Sequence, residues 1–414
     1  MVNPVRQREF AFQIVQRLRA AGFEALWAGG CVRDELLGLV PKDYDVATNA
    51  TPEQIRDAFG RRRTLAIGAA FGVVTVLGPR DAGQIEVATF RTDAAYSDGR
   101  HPDSVSFTDA EHDAQRRDFT INGLFFDPLA DQVVDYVGGQ EDIERRIVRA
   151  IGEPRSRIGE DKLRMLRAVR FAATFDFAIE PQTLHAIQEM AGEITTVSAE
   201  RIGMEIRRML LDPNRAVALR LLRETNLLPH VLPEIESLSS LAFEDTARVL
   251  AALRAPTRPL ALAALLFLAP RSSLLAPNVG RRLRYTNKEI ERAAWLLQHL
   301  PHIGQAHQLP WPRLQRMLIH DGALELLALH EAIAGSDDAA LVYCRERLAW
   351  PPERLNPPPL VDGSDLIRHG LVPGPEFSAL LEQIRDAQLN GEISSRDEAL
   401  ALADRLRRQG DTLP

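Results

Sequence analysis

A strand-like run from Phe23 to Ala28 ends on Gly29-Gly30-Cys31-Val32-Arg33-Asp34, a helical pattern follows to Leu37, and strand character resumes at Lys42-Asp43-Tyr44-Asp45-Val46-Ala47-Thr48. This confines the start of the chain to a mixed α/β unit of βαβ size. Gly29-Gly30 lets the backbone approach a ligand at the start of a helix whose N–H groups attract anions, and Arg33, one turn in, reaches triphosphate oxygens. Taken alone, such a turn is ordinary β-to-α connection chemistry. Asp43 and Asp45 add to it, because residues two apart on a strand point to the same face. Two carboxylates beside a phosphate-binding turn repel each other unless a cation lies between them. Magnesium, a hard ion that shares its shell with substrate phosphates, fits that place. Glu86, in the strand-like segment Gln84 to Phe90, is a third candidate carboxylate, with a solvated or salt-bridged strand residue as the alternative. A metal-assisted reaction on a nucleoside triphosphate needs these parts.

The remaining composition excludes more than it selects. At 414 residues the chain exceeds one compact core and predicts roughly two to four domains. A formal net charge of -7 argues against nucleic-acid binding through bulk basicity but leaves room for a local basic track. The cysteines are Cys31 and Cys344, which offer neither a disulfide framework nor a thiolate zinc cluster, and a reducing cytoplasm is the expected compartment. Cys31 is assigned to packing. Met1 to Phe10 does not read as a secretory signal, and the apolar run Leu260 to Ala269 is too short to cross a bilayer. No membrane is expected, and Leu260 to Ala269 reads as a buried helix.

Along the chain, helix-spaced apolar residues run from Val5 to Ala21, and Val73 to Leu77 and Gln84 to Phe90 read as further strands. A polar connection from Thr92 to Asp103 is long for a compact α/β domain, so it is either functional or mobile. From Asp142 onward strand signals vanish and helical periodicity runs to the C-terminus, punctuated by prolines.

Four pieces occur in order: Gly29-Gly30-x-Val32-Arg33-Asp34, Asp43-x-Asp45, Arg116-Arg117-Asp118-Phe119-Thr120-Ile121-Asn122-Gly123 and Glu160-Asp161-x-x-Arg164. Together, over roughly residues 10 to 240, the chain resembles the class II tRNA nucleotidyltransferases, the family of bacterial CCA-adding enzymes and poly(A) polymerases. The resemblance implies an N-terminal nucleotidyltransferase head with a DNA polymerase β-like mixed sheet, followed by an all-α region. It implies three segments: a catalytic head at 1–145, a helical neck selecting the base at 146–225, and a helical body and tail binding tRNA at 226–414. Asp43 and Asp45 match the family's metal-binding aspartates, with Glu86 beside them, and Gly29, Gly30 and Arg33 match its nucleotide-contacting turn. Arg117 and Asp118, with Asn122 on the same segment, match the motif used around ribose and phosphates. The bland alternative for this octet is a salt-bridged helix start.

Asp161 and Arg164 match the pair that reads the incoming base without a nucleic-acid template, and the matching Arg167 and Arg170 contact the nucleotide. The chemistry is consistent. A carboxylate accepts from an exocyclic amine and a guanidinium donates to a ring nitrogen, which suits cytosine and adenine. Uracil and guanine present a carbonyl and a ring N–H there, leaving buried groups unpaired. The three-residue spacing of Asp161, Arg164, Arg167 and Arg170 predicts one stripe along a single helix, with a solvated basic helix face as the alternative for Lys162 and Arg170.

Within the family, Ile67 to Val74 and the loop Arg91-x-Asp93-x-x-Tyr96-x-Asp98-Gly99-Arg100 resemble the complete CCA-adding form. The expectation is therefore addition of C, C and A to the tRNA acceptor end from CTP and ATP, with Mg2+. The alternatives are an A-adding enzyme, a poly(A) polymerase, or a silent RNA-binding protein of the same fold. Phe267-Leu268 stand where a relative's appended phosphohydrolase would place ligands, so that activity is not expected. Arg201, Arg207, Arg208 and Arg281-Arg282-Leu283-Arg284 are candidates for tracking RNA phosphates, each with a solvated face as the alternative. Whether the chain is a monomer or a dimer is left open.

Overall fold

A computed structural model describes residues 2–93, 105–372, 374 and 376–410. The chain forms two compact units, one of Met1–Ala247 with Arg282–Arg284, the other of Arg248–Arg281 with Tyr285–Pro414.

The first unit opens with helix α1 (Pro4–Ala20), started by Asn3, whose side chain accepts from Val5 N–H, and by a proline in the first turn. Its buried residues Ala11, Ile14, Val15 and Leu18 keep helical spacing and face strands β1 (Ala25–Ala28), β2 (Asp45–Thr48) and the later β5 (Gln84–Thr89). Between β1 and β2 runs α2 (Gly30–Leu36). After β2 come α3 (Pro52–Phe59), held by a capping box between Thr51 and Gln54, and strands β3 (Thr64–Leu65) and β4 (Val73–Leu77). Beyond β5, β6 (Arg91–Asp93) pairs with β7 (Val105–Phe107) as a separate ribbon. Most of the loop singled out after Arg91, residues 94–104, lies outside the described residues. Helix α4 (Ala110–Gln115) leads to β8 (Phe125–Asp127) and β9 (Gln132–Val134).

The seven strands order as β3-β4-β5-β2-β1-β8-β9. The β2–β5 pair is parallel and its neighbours antiparallel, so the sheet is mixed, as expected. Every residue of β1 is buried, whereas β4 and β5 alternate buried with accessible positions. The sheet is therefore covered on both faces at its centre and open on one face toward β4 and β5. Register sets Asp45 opposite Glu86 and Glu86 opposite Thr75, so these three share that open face.

After α5 (Gly139–Glu144) the all-helical expectation is corrected. β10 (Ile147–Val148) and β11 (Ala178–Ile179) pair in parallel, flanking α6 (Pro154–Glu160) and α7 (Leu163–Phe175). Two-residue strands carry too short a pattern to stand out from helical surroundings. Helices α8 (Pro181–Met190), α9 (Ala199–Leu211) and α10 (Arg215–Glu224) follow. In the second unit the buried helix expected over Leu260 to Ala269 ends at Leu266, with Leu260 to Leu266 all buried and Leu268 exposed, and a further core gathers Val361, Leu366, Leu371, Ile384 and Ala399. Cys31 is fully packed and burial pushes its thiol up to about 12, in keeping with a packing role.

Asp142 anchors the turn that carries Asn122. Only 3% exposed, its carboxylate accepts from the Thr120 hydroxyl at 2.6 Å and from Arg149 at 3.0 Å. Gly139 beside it admits no side chain, since a Cβ there would lie 2.2 Å from the Thr120 carbonyl oxygen. Gly139→Ala is expected to destabilise the first unit by on the order of 1–3 kcal/mol and to lower its calorimetric melting temperature. An unchanged melting temperature would show that this turn relaxes freely.

Candidate active site

The carboxylates sit where β2 begins. Asp43 and Asp45 are exposed while Tyr44 and Val46 between and after them are buried, the alternation predicted for a shared face, although Asp43 itself precedes the strand. Tyr44 is drawn inward by Trp27, whose ring lies 5.1 Å away edge-on, and donates to Glu35 at 2.6 Å. Asp45 lies in a crowded cleft that keeps access to water. Dehydration by its surroundings and then the Glu86 charge push its carboxyl up to about 6, against the pull of Arg117 and with a further push from Asp43. Because the residue retains access to water, solvent screens part of this effect.

This donor set is all oxygen and carries uncompensated negative charge, which suits a hard divalent cation. Among the described residues no three ligating side chains converge as a complete cage. Asp43 and Asp45 would thus hold an ion jointly with oxygens from a substrate, the usual arrangement for magnesium at a triphosphate.

Gly29 has φ 71°, and a Cβ on it would come within 2.8 Å of Arg117 Nη1, so the glycine is needed both for its backbone angle and for the passage of that guanidinium. Gly30 starts α2, and Arg33 on that helix is buried at 7% exposure. Arg33 donates to Asp34 at 2.6 Å and to Asn122 Oδ1, and its guanidinium lies 4.4 Å over the Phe175 ring and 5.2 Å over that of Phe171.

Arg116 and Arg117 do not start a helix; they follow the end of α4, and both pair with Asp113 of that helix, at 2.7 and 2.9 Å. Asp113 was not singled out from sequence, though its i,i+3 and i,i+4 spacing to the two arginines is the signal for it. Arg117 also donates to the Asn122 carbonyl at 3.3 Å. Asp118 accepts from Asn122 Nδ2 at 3.0 Å and from Arg167 at 2.8 Å. Burial opposes ionisation of Asp118, but Arg167, Asn122 and Arg164 outweigh it and hold the carboxyl down to about 2.

The single-helix stripe is corrected in one respect. Arg164, Arg167 and Arg170 lie on α7, but Asp161 stands in the extended break between α6 and α7, with φ -146° and ψ 105°. Its Oδ1 accepts from Leu163 N–H at 3.0 Å and its Oδ2 from Arg201 of α9 at 2.6 Å. Arg164 is 8% exposed and donates to Glu160, to the Arg157 carbonyl at 2.6 Å and to the Arg116 carbonyl at 3.3 Å. Three of the five guanidinium donors are thereby used, leaving the Nε–H and one Nη2–H. Arg170 pairs with the buried Glu205 at 2.5 Å and lies 4.1 Å over Phe171, and burial lowers its pKa despite that pairing.

All the catalytic and nucleotide-side candidates therefore fall in the first unit, whereas Arg281 of the arginine cluster lies in the second. From Arg33, Arg117 and Asn122 through Asp118 to Arg167 they are joined by direct hydrogen bonds, and Arg117 and Arg164 tie this chain electrostatically to Asp45 and Asp118. The arginines considered for RNA tracking are mostly engaged within the protein. Arg201 pairs with Asp161, Arg208 with Glu205, Arg282 with Glu234 and Arg284 with Glu200, while Arg207 donates to the Leu283 carbonyl. Glu205 and the aromatic pair Phe171 and Phe175 carry no sequence signal for this assembly, Glu160 stands in the Glu160-Asp161-x-x-Arg164 motif without a role, and Arg201, read as a candidate for tracking RNA phosphates, is instead bound to Asp161.

Residues 25–149 match the family described as poly A polymerase head domain, and residues 176–238 the one described as "Probable RNA and SrmB- binding site of polymerase A". The chain is similar to a CCA-adding enzyme of Geobacillus stearothermophilus, at 35% identity over 405 residues covering 94% of this chain and 95% of the relative. It is similar to another of Lactobacillus johnsonii, at 31% identity over 94% and 95% of the two chains. The crystal structure of a Bacillus stearothermophilus CCA-adding enzyme in complex with CTP shares the fold with a TM-score of 0.81 and 32% identity, covering 100% of both chains. The chain belongs to the family of CCA-adding enzymes.

Proposed function

We propose that this protein adds C, C and A to the 3′ end of tRNA without a nucleic-acid template, using CTP and ATP and releasing pyrophosphate. The observation that carries this reading is the hydrogen-bonded chain from Arg33 and Arg117 through Asn122 and Asp118 to Arg167, to which Arg164 and Asp161 are tied electrostatically through Asp118 and Arg167, and Asp45 through Arg117. Family membership over nearly the whole chain supports it. We assign the chemistry to residues 1–145, base selection to 146–225 and tRNA binding to 226–414, in a cytoplasmic enzyme.

Asp43 and Asp45 would hold Mg2+, with Glu86 lending further negative charge on the same sheet face. When bound, the metal supplies charge neutralisation at the phosphates and acidification of the RNA 3′-hydroxyl. The protein's own contribution is placement. Arg33 and Arg117, held by Asn122, present cationic groups to the triphosphate, and Asp118, kept ionised by Arg167 and with its acceptor sites taken by Phe119 N–H, Asn122 and Arg167, positions that segment beside the ribose. The two donors left on Arg164 meet the ring nitrogen of cytosine or adenine, and Asp161, with about two of its four lone-pair sites used, accepts from the amine.

Incubation with tRNAs ending before CCA, after C and after CC, with CTP or ATP added separately, tests the reading at single-nucleotide resolution. Three-nucleotide completion with both substrates is expected. Extension of the CC-ending tRNA alone would mean A-addition, long adenosine ladders a poly(A) polymerase, and no extension a silent protein. Asp45→Ala should lower addition by on the order of 10³-fold or more while filter retention of tRNA stays near the wild-type level.

Cation binding has its own readout. Relieving the crowding of Asp43, Asp45 and Glu86 should make Asp45→Asn melt higher than the wild type in cation-free buffer. Manganese ions should then raise the melting temperature of the wild type and leave that of Asp45→Asn nearly unmoved. Equal responses of the two proteins to manganese would place the ion elsewhere.

A further inference from the structure

We infer that Arg201 is the positioning residue that sets base discrimination, acting through Asp161. The inference rests on the proposed base-reading role of Asp161 and Arg164. Asp161 sits in a non-helical break, where no backbone periodicity fixes its side chain, and a carboxylate there would swing between rotamers. Two contacts prevent this. The Leu163 N–H holds Oδ1 from one side, and Arg201, reaching from α9, holds Oδ2 at 2.6 Å. Both partners of that ion pair are largely shielded, with side chains 15% and 17% exposed, so the contact lies in the range where geometry and charge count.

The arrangement is matched on the other member of the pair. Glu160 accepts from Arg164 and from Arg157 at 2.9 Å, and the Arg157 and Arg116 carbonyls take further Arg164 donors. Each base-reading group is thus clamped by an opposite charge plus backbone groups, and each keeps donors or acceptors to spare. The charged clamp of Arg164 comes from Glu160, four residues back across the break between α6 and α7, whereas that of Asp161 comes from 40 residues away in the sequence. Arg201 is consequently the contact by which α9 controls the position of the amine-reading oxygen.

The chemical consequence is specific. With the carboxylate plane fixed, the acceptor lobes stay where the exocyclic amine of cytosine or adenine arrives, and a uracil or guanine carbonyl meets an oxygen it cannot pair with. Once Arg201 is lost, the carboxylate can turn away from a keto base, and the penalty against UTP and GTP falls. Arg33 and Arg117 are held through Asn122 whereas Arg201 holds Asp161, so the two ends of the site rest on different side chains.

The test compares wild type, Arg201→Gln, Arg201→Lys and Asp161→Asn on tRNA ending before CCA, reading kcat/KM for CTP and UTP and KM for tRNA. Arg201→Gln is expected to raise the UTP-to-CTP ratio by about tenfold or more, with KM for tRNA within about twofold of wild type. Arg201→Lys, which keeps the charge, should recover most of the discrimination. A raised KM for tRNA with unchanged discrimination would overturn the inference in favour of an RNA-backbone contact. An equal loss for both nucleotides with a lower melting temperature would overturn it in favour of a purely structural ion pair. Asp161→Asn separates the two levels: if it alters the ratio and Arg201→Gln does not, only the role of Arg201 fails, and if neither alters it, the base-reading assignment fails as well.

Discussion

Every polar atom of Asn122 is spent on another part of the same assembly. Its amide oxygen accepts from Arg33, its amide nitrogen donates to Asp118, its carbonyl accepts from Arg117 and its backbone N–H donates to Phe119. At 8% exposure this residue cannot exchange those bonds for water cheaply. Three separate pieces of chain, helix α2, the end of α4 and helix α7, are therefore registered against a single side chain, since Asp118 passes the constraint on to Arg167. The turn that carries Asn122 is in turn pinned by Asp142, so geometry at the site depends on a buried carboxylate that is not among the candidate site residues.

Charge balance explains how an acidic protein with a formal net charge of -7 can present arginines to a polyanion. Each candidate nucleotide-side arginine is paired inside the protein: Arg33 with Asp34, Arg117 with Asp113, Arg164 with Glu160, Arg167 with Asp118 and Arg170 with Glu205. Pairing fixes the guanidinium planes before substrate arrives, and preorganised donors lose little on binding. Phe171 adds to this by lying beneath Arg33, Arg167 and Arg170 at once, joining the phosphate-side helix to α7 through ring faces.

The parts legible in the sequence are those written in local periodicity. The strand around Asp45, the glycine turn, the helix α1 and the buried run Leu260 to Leu266 all follow from spacing, and the structure places them as expected. The catalytic and nucleotide-side candidates were reached by motif and fall together in one unit. What the sequence concealed depends on distance or brevity. Strands β10 and β11 hold two residues each and pair across an intervening pair of helices. Asp161 interrupts a spacing that otherwise reads as continuous helix, because the break depends on the Leu163 N–H turning to its own side chain. Arg201 and Glu205 look like members of an ordinary amphipathic helix until their partners on the α6–α7 segment are known. Arg281 to Arg284 were read as a basic track, yet Glu234 and Glu200, some tens of residues away, claim Arg282 and Arg284.

The two ends of the site are built on opposite principles. The arginine end is neutralised within the protein, so it is rigid and its electrostatic cost is met during folding. At the other end Asp45 faces Glu86 and Asp43 with Arg117 as the opposing charge, and its carboxyl is driven upward. Charge crowded there would favour a state holding a cation over one without it. A fully paired carboxylate cluster would be more stable and would bind the ion less well. The polarity of the assembly follows from which carboxylates have an arginine of their own, as Asp34, Asp113, Glu160, Asp118 and Glu205 do, and which share Arg117 and otherwise face one another.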